Sequence, residues 1–147
     1  MPAPSAAQLE GVATGAVQGA GLDGEHAPDL AKAMAATVAD ALGLLHASTL
    51  VLPGIPAAAP PPAGSGATAG PGMLLPAAAS GLSASAIEGI AAGHLQANGI
   101  AGEHAGDLAT WLGACLEQAL SLFTAQVMVA PGIPIAGFAT AGPGSLI

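Results

Sequence analysis

The two halves of the chain carry the same sequence. Residues 9 to 58 align with residues 87 to 136 at a constant shift of 78 without a gap, and 24 of the 50 aligned pairs are identical. The shared stretch reads GLDGEHAPDLA from Gly21 and GIAGEHAGDLA from Gly99, and further on VLPGIP from Val51 is matched by VAPGIP from Val129. After a six-residue excess in the first copy the match resumes at a shift of 72, with ATAGPGMLL from Ala67 facing ATAGPGSLI from Ala139. Self-similarity at a fixed period marks a tandem duplication of one small unit. A unit of about 70 residues has only a marginal core of its own. The copies are therefore expected to bury their apolar faces on each other or on neighbouring chains. The predicted division is a first unit over residues 1–76, a linker over 77–82 and a second unit over 83–147.

Within each unit the apolar spacing predicts two helices. Ser5 followed by Gln8, and Ser85 followed by Glu88, fit the reciprocal capping box at a helix start. Leu9, Val12, Ala16 and Val17 then share a face, as do Ile87, Ile90, His94 and Leu95. Each first helix should run about 13 to 15 residues and stop near Gly21 or Gly99, a residue suited to the left-handed cap. The second helix starts between Gly24 and Asp29, where Pro28 fits the first turn, and between Gly102 and Asp107 in the other copy. Its stripe is Leu30, Met34, Val38, Ala41, Leu42 and Leu45, matched by Leu108, Leu112, Leu116, Ala119, Leu120 and Phe123. The predicted fold is mainly α, a duplicated antiparallel helical hairpin. Two hairpins would complete a four-helix cluster about an approximate internal two-fold axis.

The pattern then changes. Thr49 to Leu52 and Gln126 to Ala130 suit short strands that end at Pro-Gly-Ile-Pro, which neither a helix nor a central strand traverses. Beyond lie Gly/Pro-rich stretches that close on Gly-Pro-Gly and an apolar tip, read as extended arms held on neighbours by strand addition. The residues expected at such interfaces are Ile55, Met73, Leu74 and Leu75 in the first copy, Ile133, Ile135, Phe138, Leu146 and Ile147 in the second, and the single tryptophan, Trp111.

Charge narrows the partners. One lysine, no arginine and nine acidic residues give a formal net charge of −8. Nucleic-acid binding depends on cationic contacts with phosphate, so a DNA or RNA reader is excluded. The same acidity disfavours an anionic membrane surface. The apolar windows Leu108–Val129 and Ala33–Leu52 contain Glu117, Gln118 and Gln126, or Asp40, so no membrane insertion is expected. The first residues, MPAPSAAQLEG, lack the basic region of a secretion signal.

Few residues suggest chemistry. Glu25, His26 and Asp29, with their twins Glu103, His104 and Asp107, could hold a metal if the two motifs converged, since one motif supplies at most three ligands. The commonplace reading is that carboxylates in a first turn serve the helix dipole. His94 occupies the place of Ala16, and His46 that of Thr124, so neither repeats. Cys115, in the place of Thr37, has no base placed beside it by motif and reads as a small apolar residue. No catalytic residue and no cofactor are predicted, and the chain is not expected to be an enzyme.

The Ala-rich helical part followed by PGIP and an ATAGPG arm, at Val51 to Pro56 with Ala67 to Leu75 and at Val127 to Ile135 with Ala139 to Ile147, resembles small structural proteins encoded among the head and tail genes of phages, prophages and phage-like particles. The resemblance implies a virion or tail-like component, a decoration, adaptor or baseplate subunit whose partners are other protein subunits and copies of itself. Two other expectations follow from the residues: a surface-exposed adhesin-like binding module, or a metal-binding protein built on the two GEH motifs.

Overall fold

Helix α1 (Ala6–Gly19) begins where the Gln8 side chain accepts hydrogen bonds from the Ser5 N–H at 2.9 Å and the Ser5 hydroxyl at 3.1 Å. It ends on Gly21, whose φ of +71° allows the Gly21 N–H to reach Gln18 O and the Leu22 N–H to reach Val17 O. This is the glycine-terminated helix end that the sequence predicts. Helix α2 (Ala27–Ser48) follows. Helices α3 (Ala84–Ala97) and α4 (Ala105–Gln126) repeat these bounds 78 residues on, and Gly99, at φ +77°, closes α3 with the matching pair of bonds. The computed structural model describes residues 3–48, 65–74, 81–136 and 139–140.

One predicted cap is displaced. Ser83, not Ser85, starts α3, its hydroxyl accepting from the Ala86 N–H at 3.3 Å. Ser83 is the counterpart of Ser5 at the shift of 78. Glu88 is thereby released from capping and accepts instead from the Thr110 hydroxyl of α4, at 2.9 Å.

The helices pack in chain order. α1 lies against α2, α2 against α3 and α3 against α4, while α1 and α4 make no comparable contact. A two-fold axis relating the hairpins would turn the α2–α3 contact into an equal α4–α1 contact, so the expected two-fold cluster is not formed. The order is an open stack instead. Its consequence is unequal burial: in α3, Ile87, Ala91 and Leu95 are all buried, whereas in α1 only Val17 is.

Two clusters form the core between α2, α3 and α4. Ala41, Leu45, Leu82, Ile87 and Leu120 make one; Ala33, Ala91, Leu95, Ala109 and Leu112 make the other. Leu82, assigned to the linker on sequence, is buried in the first. The predicted stripe of α2 is only partly right. Ala31, Ala33, Ala35 and Thr37 are buried on more than one side because α2 has neighbours on both flanks, while Leu30, Met34, Val38 and Leu42 are half-buried. In α4, Ala119 and Phe123 of the predicted stripe are exposed. By length and composition α2 is apolar enough to cross a membrane, a property that the core helix of a folded domain can share. Within the fold, α1 and α3 pack on α2 and bury part of its apolar surface, while Leu44 stays exposed.

The strands join the two units. β1 (Ser65–Ala67) runs antiparallel to β4 (Pro134–Ala136), with Gly66 opposite Ile135, and β4 pairs in turn with β5 (Ala139–Thr140). β2 (Gly72–Met73) pairs with β3 (Met128–Val129). The described part of the first arm is thus a strand addition, as expected, but onto the second unit of its own chain and not onto a neighbouring molecule. Leu74, Val129 and Ile133 pack together beneath it with Val127.

Thr68 fixes the register of this junction. Its buried hydroxyl oxygen accepts from the Gly132 and Ile133 N–H groups at 3.1 and 3.0 Å. Its main chain exchanges bonds with the same two residues, its N–H donating to Ile133 O and its carbonyl accepting from Gly132 N. Gly132, at φ +96°, is the only residue type that turns there without strain. Replacing Thr68 by valine keeps the shape and strips the Ile133 N–H of its acceptor, which should cost about 1–3 kcal/mol. Hydrogen exchange at Ile133 should quicken in Thr68→Val and not in Thr68→Ser.

Candidate functional site

The two GEH motifs occupy the turns that join α1 to α2 and α3 to α4. Each histidine turns to the carboxylate three residues on: His26 Nδ1 lies 3.5 Å from Asp29 Oδ2, and His104 Nδ1 lies 3.2 Å from Asp107 Oδ2. These exposed side chains follow the i, i+3 neighbour relation of a first helical turn. Among the described residues no three of His, Cys, Asp and Glu gather closely enough to hold a metal ion, so His26, Glu25, His104 and Glu103 do not converge on one centre.

A shallow crevice opens beside each of these turns. One of about 270 Å³ is lined by Leu95, Gln96, Ile100 and Ala105 among others; the second, about 220 Å³, is lined by Val17, Gln18, Leu22 and Ala27 in the corresponding places. The first has no titratable side chain in its wall and the second only Asp23. The first supplies no acid, base or nucleophile, and the second offers one carboxylate, Asp23, and one hydroxyl, Thr14, with no histidine, cysteine or lysine beside them.

The closest polar pair between helices is one that sequence reasoning missed. His94 Nε2 of α3 lies 2.7 Å from Asp40 Oδ2 of α2. The imidazole N–H donates and the carboxylate accepts, pinning the two hairpins together at the edge of their contact. In the sequence His94 stands out only as a histidine without a counterpart in the first copy. A carboxylate 54 positions away leaves no local signal, and only the α2–α3 packing brings it within reach.

Cys115 is exposed, not buried as its apolar reading implies. It lies on the outer face of α4 with Trp111, which is 58% exposed, and with Ala119 and Phe123, the latter 44% exposed. Of the residues expected at interfaces, Met73 is also exposed, at 54%, and remains available. Leu74 and Ile133 do not, because they are buried against Val129 inside the chain. Ile135 lies in β4, paired to Gly66 and Thr140. Ile55, Leu75, Phe138, Leu146 and Ile147 lie outside the described residues.

The arrangement therefore presents faces for contact and no assembled set of reacting groups among the described residues. Comparison with protein families, with curated proteins and with solved structures returns no match to this chain.

Proposed function

We propose that this chain is a duplicated, non-enzymatic structural subunit of a larger protein assembly, of the phage-like kind its sequence resembles. The observation that carries this reading is the open order α1–α2–α3–α4, in which a hairpin contact is made once inside the chain and, among the described residues, no further helix packs on the outer side of α1 or α4. The duplication itself is supported by the recurrence of helix bounds and glycine caps at the shift of 78. The composition agrees: Ala-faced helices allow close backbone approach, and strand addition by a Gly/Pro arm supplies main-chain bonds without bulky side chains. A net charge of −8 keeps such a particle soluble and steers it toward protein partners.

The test is incorporation. Deleting Pro143 to Ile147 should leave helix content unchanged by circular dichroism yet abolish co-sedimentation with the native particle. A chain that sediments alone at every stage of growth would remove the reading.

A further inference from the structure

The partner of the uncovered ends follows from the repeat. The buried α2 ridge Ala33–Thr37–Ala41–Leu45 faces the second hairpin, Ala33 clustering with Ala91 and Leu95, and Ala41 and Leu45 with Ile87. Shifted by 78, the same ridge on α4 is Trp111–Cys115–Ala119–Phe123, and all four of these residues are exposed. Likewise α3 presents the buried residues Ile87 and Ala91 to α2, while their counterparts in α1, Leu9 and Ala13, are only half-buried, beside Val12, which is 70% exposed. Each end of the stack therefore carries the sequence relative of a surface that is already mated inside the chain.

We propose that α4 of one molecule receives α1 of a second copy, continuing head to tail the contact that α2 makes with α3. This deepens, and rests on, the reading as an assembly subunit. Stacked repeats require polar outer faces at their ends to remain single. Here the ends are apolar, and one bears the only tryptophan of the chain. The sizes complement one another: Trp111 on α4 is larger than its counterpart Ala33, while on α1 the exposed Ala16 is smaller than its counterpart His94. The polar pin is dropped in step, Asp40 and His94 becoming Gln118 and Ala16, so no charge is left unpaired at the new contact. A contact between two different faces does not close on itself, and copies add in an open series. Since each copy is acidic, added salt screens their repulsion and should strengthen the association.

Sedimentation of the full chain over a range of concentration should show species beyond the dimer. Trp111→Glu, altering an exposed side chain, should weaken association by about 30-fold or more, as expected for loss of a central tryptophan anchor. Ala16→Glu should do the same from the other side. Mixed, these two variants retain one intact α4 face and one intact α1 face and should form a 1:1 heterodimer that grows no further. In Ala16→Cys, oxidation should join position 16 to Cys115 of the next copy and give a ladder of covalent oligomers. A wild-type chain that stays monomeric, or a single Cys115–Cys115 dimer in place of the ladder, overturns the stacking. Normal incorporation of both Glu variants into the native particle overturns it as well, and leaves the assembly reading standing.

Discussion

Ile87→Ala should lower stability by about 2–5 kcal/mol, while Leu9→Ala, the same position of the repeat in the other unit, should cost about 1 kcal/mol. Ile87 is fully buried against Ala41, Leu45, Leu82 and Leu120, so its truncation leaves a cavity walled by three helices. Leu9 is only partly buried, on a helix that has α2 as its one substantial helix neighbour. For a chain of this size the first change corresponds to a fall in melting temperature of about 10 °C, and the second to a few degrees. Denaturant unfolding at a dilution where sedimentation shows single molecules checks the difference. Equal losses at the two positions would mean that α1 and α3 are equally covered, which contradicts the open order of the helices.

The second large effect is expected at Gly113. A Cβ built there would meet the Ala84 carbonyl oxygen at 2.6 Å and the Glu88 Cβ and N at 3.1 Å. Two of those three atoms are main chain, so relief requires α3 and α4 to move apart. Gly113→Ala should therefore destabilise by about 1–3 kcal/mol through overpacking, reversing the gain of up to about 1 kcal/mol that alanine brings to a helix interior. Gly89 and Gly93 of α3 provide the contrast, because no atom lies within 4 Å of a Cβ added at either. Alanine at each of those should stabilise by about 0.5–1 kcal/mol. Urea midpoints of the three variants decide the matter, and a neutral Gly113→Ala would show that the two helices are not in close contact there. The counterpart of Gly113 is Ala35, which carries its own buried Cβ. The first hairpin is accordingly set for a methyl group where the second is set for none.

Much of the local structure was legible. Apolar spacing located four helices, and Gly21 and Gly99 ended α1 and α3 in the left-handed conformation for which glycine is the natural residue. Both signals act over one or two helical turns, a range the sequence displays directly. The Ser85 cap was misplaced because Ser83 and Ser85 both precede apolar residues. The choice fell to the register of α3 on α4, where Glu88 meets Thr110. The surface side of α4 was misread for a similar reason. Ala119 and Phe123 continue its apolar stripe, and a stripe wider than one contact does not reveal which part a neighbour covers. Leu74 and Ile133 looked like interface anchors since an isolated Gly/Pro arm cannot bury them, yet the arm finds β3 and β4 of the same chain.

What the amino-acid order determined alone is the inventory: a pair of helices whose bounds recur 78 residues on, glycine stops and an acidic composition almost without cations. Each follows from backbone preference or composition, which operate between near neighbours or on the chain as a whole. What only the tertiary structure decided is how the repeats are related. Whether α3 settles against α2 in an open row or turns to close a two-fold cluster depends on side-chain volumes meeting across elements, among them Ala33 against Ala91 and Leu95, and on Asp40 reaching His94. Such contacts join residues more than 50 positions apart and are selected by close packing, for which a single sequence carries no periodic signal.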